Sequence, residues 1–239
     1  MCGWIRVSNS TDDIPLSPGR RAWQRFRANR LGYGSLLLFV ALFVVSLFAE
    51  VLCNDKPFLA RYNGSFYVPM VQSLPETAFG GDFDTPTDYL DPFIQKQFAK
   101  KGNWAIYPIN PYHHSTINYF AKQPNPSPPS WDNWLGTDDR GRDVLARLIY
   151  GFRLSVLFGL SLTILGVFLG VLSGALMGYW GGRVDLVSQR IIEIWSSMPE
   201  LYLLIIFASI FSPSVGLLIV LLSLFGWMGL SDYVRAEFL

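Results

Sequence analysis

The chain has 239 residues, of which 51% are hydrophobic and only 15% are charged, and its mean hydropathy is +0.29. A soluble domain typically has about 25% charged residues, so this composition disfavours an ordinary soluble protein. The net charge of +1 excludes the strongly basic surface that nucleic-acid-binding proteins use. Because long uncharged blocks alternate with polar segments, we predict an all-α membrane protein, a helical bundle with several spans.

Four apolar stretches predict transmembrane helices. They cover residues 31–52, 154–180, 191–211 and 215–230, the third being interrupted by Pro199 and Glu200. The first stretch is too long, and too far from the N-terminus, for a signal peptide. The turn-prone Ser-Pro-Ser sequence at 212–214 separates the last two stretches, since a single helix over 201–231 would overshoot a bilayer.

Basic residues predict the orientation. Five arginines precede the first span, at positions 20, 21, 25, 27 and 30, which favours a cytoplasmic N-terminus. We therefore predict a cytoplasmic segment at 1–30, a first span at 31–52, an external segment at 53–153 and a transmembrane core at 154–239. The core contains spans two to four.

The external segment is polar up to about residue 130, and its sequence PNPSPP at 124–129 predicts a semi-rigid spacer. Apolar residues then recur on one helical face between Val144 and Phe152, with Thr137 as a candidate N-cap. This pattern predicts a short helix lying on the outer membrane surface. The adjacent His113 and His114 are expected to point apart and have no acidic cluster to complete a metal site, so we predict no metal, catalytic or cofactor-binding residues.

Glycines recur every four residues in the second span. They are Gly166, Gly170, Gly174 and Gly178. Small residues at this spacing let another helix approach closely, because lipid provides little hydrophobic drive for helix association. The second span is therefore predicted to lie in the packed centre of the bundle.

A sharp cytoplasmic turn is predicted after the second span. Gly181 and Gly182 permit positive φ angles, and Asp185 is suited to cap the next helix.

The third span contains a proline and two acidic residues. Pro199 predicts a kink, and Glu200 places a charge inside the membrane, where it is costly. Two roles stay open for Glu200: lining a pathway, or a structural role near the cytoplasmic end. Glu193 lies nearer the interface and is predicted to pair with Arg190, three residues earlier.

Several motifs together resemble a known family. The sequence LGTDDRGRDVL at 135–145, continuing through Arg147 to Gly151-Phe152-Arg153-Leu154-Ser155, is similar to a signature of the second permease subunit of dipeptide, oligopeptide and nickel ABC importers. The turn at 178–185 resembles the family's GY-x-GG-x-x-D, and Trp227 with the Val-Arg-Ala at 234–236 resembles its approach to the ATPase-coupling loop. The long external insertion is most similar to the enterobacterial YejE-type branch.

The resemblance implies a type I ABC importer permease fold, with four spans in this chain and six expected in the full-length protein. It implies a multi-pass protein of the bacterial inner membrane that moves peptides by alternating access. The expected partners are a second permease subunit, ATPase subunits that bind ATP and Mg, and a periplasmic peptide-binding protein. Because no phosphate-binding loop is found in the sequence, ATP hydrolysis is expected in a partner chain.

The resemblance also suggests roles for individual residues. A surface motif would either cap and orient the outer helix or relay gating from a docked binding protein; its members are Gly136, Thr137, Asp138, Gly141, Arg142, Asp143 and Arg153. Arg235, Ala236 and Glu237 would form the first edge of the coupling loop. Pro199 and Glu200 are candidate hinge and pathway residues.

Two other classes of function remain. A channel or secondary transporter would work without an ATPase and would carry charged residues deep in several spans. A membrane-anchored enzyme would need a nucleophile and base in the external segment, where no such set is found.

Overall fold

The computed structural model describes residues 17–119 and 123–238. By contacts these divide into a unit ending at Phe48 and a second unit beginning at Ala49. Most of the structure is helical, and the segment between the apolar helices contains a small sheet.

The first unit consists of two helices, α1 (Pro18–Ala28) and α2 (Arg30–Leu47). Asn29 separates them and caps α2, since its side chain accepts a hydrogen bond from the backbone of Gly32 at 3.2 Å. The rings of Trp23 and Phe26 on α1 pack against Tyr33 on α2. The 18 residues of α2 are apolar enough to span a membrane.

The second unit begins with α3 (Ala49–Leu52) and a polar segment, residues 53–143. This segment contains β1 (Leu59–Tyr62), β2 (Ser65–Tyr67), α4 (Pro92–Phe98) and β3 (Trp104–Ile106). The strands form an antiparallel sheet in the order β2-β1-β3. Asn63 and Gly64 both have positive φ angles, as a tight two-residue hairpin requires. The all-α prediction therefore holds for the membrane helices but misses this sheet.

An aromatic core holds the polar segment together. Its buried members are Ala60, Phe79, Tyr89, Ile94 and Phe98. The ring centroids of Phe79 and Phe98 are 5.1 Å apart, and the other rings pack edge-to-face around Phe79. Burial of this kind favours a folded domain over an irregular loop.

Five helices follow: α5 (Val144–Trp180), α6 (Gly182–Ser196), α7 (Glu200–Ile210), α8 (Val215–Gly226) and α9 (Met228–Phe238). Among the described residues, α2, α5 and the α8–α9 run are long and apolar enough to cross a membrane. The α6–α7 pair meets the same test as one broken span, bent by 70°. Exposed apolar side chains cover these helices, as expected where lipid or another protein surrounds them.

The structure differs from the predicted short surface helix. Helix α5 is continuous for 37 residues, so the amphipathic stretch and the second span are a single helix. No proline interrupts this stretch, and Arg153 does not end a helix, since a charged side chain is compatible with helical geometry. At 1.5 Å per residue, α5 is about 55 Å long and exceeds a hydrocarbon core of about 30 Å.

Candidate functional site

A buried carboxylate anchors the polar segment to the start of α5. Asp143 is 1% exposed. Its oxygens accept hydrogen bonds from the side-chain amides of Asn110 at 2.8 Å and Asn133 at 2.9 Å, and from the backbone of Ala146 at 2.7 Å. Asp143, rather than the predicted Thr137, is therefore the N-cap of α5. The helix begins later than expected because a tight loop occupies 136–142.

Asp138 organises that loop. Its carboxylate accepts hydrogen bonds from the backbone of Arg140 and Arg142, both at 2.9 Å, and forms ion pairs with Arg142 and Arg147. Burial alone would raise the pKa of Asp138, but the hydrogen bonds from Arg142 and Arg140 outweigh it and lower the pKa to about 2. Asp138 is thus ionised at neutral pH and fixes two arginines.

The conformation of this loop requires its two glycines. Gly136 and Gly141 have φ angles of 76° and 79°, which few other residues adopt. A side chain at Gly136 would also collide with the carbonyl oxygen of Ser127. The Thr137 hydroxyl donates to Asn125 at 2.9 Å and accepts from the Ser127 backbone at 2.9 Å. The stretch predicted to be a spacer is therefore bonded to the loop.

Arg153 lies further along α5, beyond this loop. Its guanidinium is 4.9 Å from the ring centroid of Tyr150 and 3.4 Å from the carboxylate of Glu50. The hydroxyl of Tyr150 donates to the carbonyl of Cys53 at 2.9 Å. Arg153 therefore joins α3 to α5, away from the carboxylate of Asp138.

The two adjacent histidines were expected to point apart, and this is wrong. Their ring centroids are 4.0 Å apart, and both rings pack on Tyr150. Burial and the neighbouring His113 lower the pKa of His114 below its ordinary value. Across the described part of the chain, no group of three His, Cys, Asp or Glu side chains could hold a metal.

The four regularly spaced glycines of α5, from Gly166 to Gly178, face the α8–α9 run. A Cβ atom on Gly170 would lie 3.0 Å from the carbonyl oxygen of Trp227, and one on Gly174 would lie 2.5 Å from that of Ser231. Gly178 lies against Phe238. A Cβ atom on Gly166 would lie 3.8 Å from the carbonyl oxygen of Gly226, which is an ordinary contact distance. The two helices thus approach closely enough to exclude side chains at the three tighter positions.

The turn between α5 and α6 is fastened to α9. Gly181 and Gly182 both have φ angles of 52°. Asp185 does not cap α6 as predicted, because Gly181 is the N-cap and Asp185 lies within the first turn. Its carboxylate forms a two-point ion pair with Arg235, in which the Nη2 to Oδ2 distance is 2.8 Å. When the amide of Gln189 is oriented with its oxygen toward Arg235, this oxygen also accepts a hydrogen bond from the guanidinium at 2.6 Å. The pair connects residues 50 positions apart.

Arg235, Ala236 and Glu237, predicted to be the first edge of the coupling loop, lie in the last turns of α9. Their contact with an ATPase stays a prediction. Their helical conformation follows from the contact of α9 with the glycines of α5, because this packing stabilises the helix beyond Leu230.

Pro199 and Glu200 lie at the break between α6 and α7. Pro199 has no backbone N–H and precedes the first residue of α7. Glu200 borders a cavity of about 560 Å³ that the break leaves beside α8. The predicted pair of Glu193 with Arg190 is confirmed, at 2.5 Å.

Several residues of these sites were not predicted from the sequence. Asn110, Asn133 and Gln189 complete the carboxylate networks, but isolated amides give no sequence signal. Ser223, buried within the otherwise apolar α8, could have been noticed. A polar residue inside an apolar span is itself a sign of a packed or hydrated surface.

Comparison with known proteins identifies the family of the chain. Residues 17–75 match the family described as the N-terminal TM domain of oligopeptide transport permease C. The chain is 49% identical over 225 residues to the Inner membrane ABC transporter permease protein YejE of Escherichia coli K12, a match that covers 94% of this chain and 66% of that protein. The chain belongs to the OppC/DppC-like permease family. Within this family its sequence is of the YejE type.

Two further relatives bear on its place in the family. The chain is 46% identical to the Peptidoglycan transport system permease protein YejE of Agrobacterium fabrum, with 92% of this chain and 64% of that protein covered. It is 38% identical over 126 residues to the Dipeptide transport system permease protein DppC of Bacillus subtilis, which covers 53% of this chain and 39% of that protein. The chain thus spans about two thirds of the length of its YejE relatives. All three relatives are named as transport permeases, which are not enzymes.

Proposed function

We propose that this OppC/DppC-like permease chain forms part of the membrane channel of an ATP-driven peptide importer. The observation that carries the proposal is the α5 to α9 arrangement, in which the regularly spaced glycines of α5 and the GG-x-x-D turn meet the Val-Arg-Ala segment. These motifs are far apart in sequence yet form one packed unit. The names of the relatives, which refer to dipeptide and peptidoglycan transport, support a peptide-containing cargo.

The proposed complex has four kinds of component. A second permease subunit would complete the pathway, ATPase subunits would bind ATP and Mg, and a periplasmic binding protein would deliver peptide. The chain would lie in the bacterial inner membrane with its N-terminus in the cytoplasm, as the arginines before the first span support. Closure of the ATPase subunits would push on the region after α9 and switch the permease pair between inward-facing and outward-facing states.

Each component acts through a different part of this chain. The loop fixed by Asp138 and the anchor at Asp143 would meet the binding protein, since both belong to the polar segment at the start of α5. The Asp185–Arg235 pair would transmit motion from α9 to α6. The bend at Pro199 would let α7 move relative to α6.

The test is co-purification of the complete protein from detergent-solubilised membranes. We expect a second permease and an ATPase to co-purify, with ATP hydrolysis stimulated by a peptide-loaded binding protein. Arg190→Ala, in an exposed ion pair away from the proposed contacts, serves as the control variant. Purification of the chain alone, with transport that needs no ATPase, would contradict the proposal.

A further inference from the structure

The break between α6 and α7 creates a cavity with one charged group. Its volume is about 560 Å³, and residues of α5, α6, α7, α8 and α9 line it. The lining includes Leu162, Ser196, Met198, Glu200, Ser223 and Met228. Among the described residues that border the cavity, only Glu200 carries a charge.

The cavity lies beside the apolar part of α5. Leu162 is the midpoint of α5, about 27 Å from each end at 1.5 Å per residue. Gly166, one turn further along, is opposite Gly226, another lining residue. An ionised carboxylate within the apolar layer costs about 2.5–3.5 kcal/mol on insertion scales, so we expect Glu200 to meet water or a cation in addition to the N-terminus of α7.

No cation of the described chain satisfies Glu200. Within residues 17–119 and 123–238, no basic side chain lies within 4.0 Å of its carboxylate. Two basic residues of α6 and α9 have other partners, since Arg190 pairs with Glu193 and Arg235 with Asp185. Between Leu201 and Ser231 the sequence has no charged residue at all.

The hydroxyls of the cavity add acceptors rather than donors. Ser223 donates its proton to the carbonyl of Val220 at 2.8 Å, and Ser196 donates to that of Glu193 at 3.1 Å. Their oxygen lone pairs therefore remain to accept hydrogen bonds within the cavity. A carboxylate with two acceptor oxygens favours an N–H-bearing cation and disfavours an anion.

The other lining residues suit a variable ligand. Met198 and Met228 have flexible, polarisable side chains that adapt to groups of different shape. Trp195 fastens the end of α6 to α8 by donating to the carbonyl of Leu224 at 3.2 Å, and its ring stacks on Phe225. The cavity thus has one fixed wall and an adaptable lining.

We propose that this cavity is a cation site within the membrane, in which Glu200 binds the ammonium group of a peptide during its passage. The inference rests on the proposed importer function for the identity of the cation. Amino groups are the positive groups that most unmodified peptides share, at the N-terminus or on lysine. A single acceptor-rich site would therefore serve peptides of many sequences, while the apolar walls accommodate their side chains.

The first arm of the test measures charge preference without transport. In the complete transporter, with its native cysteines replaced, Cys2 and Cys53 among them, Ser196→Cys places a thiol on the cavity wall. Its modification rates with a trimethylammonium-ethyl and a sulfonato-ethyl methanethiosulfonate are compared. Glu200→Gln is expected to lower the cation-to-anion rate ratio at least about fivefold. Glu193→Gln, which removes an exposed carboxylate paired with Arg190, is expected to leave the ratio unchanged. An unchanged ratio in Glu200→Gln, or a thiol that neither reagent reaches, overturns the proposal.

The second arm measures ATP-driven uptake of Ala-Ala-Ala and N-acetyl-Ala-Ala-Ala into proteoliposomes with saturating binding protein. Each variant is compared with the wild type for the same peptide, so the binding protein's own preference cancels. Glu200→Gln is expected to lower uptake of the free-amine peptide about tenfold, as loss of a charge-assisted hydrogen bond implies, and to spare the acetylated one. Equal loss for both peptides indicates a structural role and overturns the proposal. If the wild type takes up neither peptide, the importer function fails, whereas the thiol labelling still decides the cation site.

Discussion

Two buried carboxylates hold the opposite ends of α5, and they are satisfied differently. At the first end, Asp143 accepts from two neutral amides and a backbone N–H, all from residues within 33 positions. At the far end, Asp185 is satisfied by Arg235, a long side chain 50 positions away on another helix. The first is a network of short side chains, and the second is one ion pair.

This difference predicts different mechanical roles. Short amides packed around Asp143 have little freedom to rearrange, so the start of α5 and the polar segment should move together. The Asp185–Arg235 pair can separate by rotation of one flexible side chain, and its loss leaves charges that water can reach at the helix end. We therefore expect the Asp143 end to be static and the Asp185 end to be the one that changes during transport.

The largest expected effect is at Asp143. Asp143→Ala leaves three buried donors without acceptors and should lower the free energy of unfolding by about 3 kcal/mol. Cys53 provides the readout, since burial and the Asp143 charge raise the pKa of its thiol to about 11 and keep it unreactive. With Cys2 replaced, we expect Cys53 to be alkylated rapidly in Asp143→Ala.

The matched control is Asp139→Asn, because Asp139 is an exposed neighbour. Cys53 should remain protected in this control. Equal protection in Asp143→Ala would show that the amide network does not hold this end of α5.

The contact between α5 and α9 gives the next largest effect. A methyl group at Gly174 would lie 2.5 Å from the carbonyl of Ser231 and 2.8 Å from Val234. Gly174→Ala should therefore lower the free energy of unfolding in detergent by about 2 kcal/mol.

Gly159→Ala on the same helix is the control. A methyl group on Gly159 would have no neighbouring atom within 4 Å, so this variant should be neutral or slightly stabilising. If both alanine variants behaved alike in thermal unfolding, the close approach of the two helices would be refuted.

A smaller loss is expected at the Asp185–Arg235 pair. Asp185→Ala and Arg235→Ala should each lower the unfolding temperature, and ATP hydrolysis by the complex should lose part of its stimulation by peptide. The exchange of both residues, Asp185→Arg with Arg235→Asp, should restore part of the stimulation.

Arg190→Ala removes an exposed ion pair and should have little effect. Failure of the exchanged pair to exceed either single variant would argue against a direct coupling.

The smallest effect is a pH dependence at Asp138. Its pKa is lowered from 3.8 to about 2, so the folded loop binds fewer protons than the unfolded chain over that interval. Its stabilisation is complete above about pH 4 and is lost as the pH falls toward 2. Tryptophan fluorescence of Trp131 and Trp134 should report loosening of the loop in this range.

Asp138→Asn removes the titrating group and should show a smaller change between about pH 4 and pH 2 than the wild type. Identical acid profiles for the two proteins would contradict the assignment.

The membrane helices could be predicted because their signals are local. Apolar length, the glycine spacing and the turn at Gly181 each depend on neighbouring residues. The surface helix and the second span were wrongly separated at Arg153, because a charged residue resembles the limit of an apolar span. In the structure Arg153 pairs with Glu50 and α5 continues through it.

Long-range features could not be predicted in the same way. The Asp185–Arg235 pair joins two helices 50 residues apart, and neither side chain indicates the other. The sheet of the polar segment consists of strands of three or four residues, too short to give a clear alternation. Its core depends on aromatic rings brought together only by the tertiary fold.

The central claim is that this chain belongs to a transporter driven by ATP. It is tested most directly by uptake of a labelled tripeptide into proteoliposomes that contain the complete complex. Peptide-loaded binding protein is added outside the vesicles, and ATP is enclosed inside them with the ATPase. We expect uptake that requires ATP and that disappears when the partner ATPase carries a phosphate-loop Lys→Ala substitution. Uptake that persists with the inactive ATPase, driven by an ion gradient, would contradict the account.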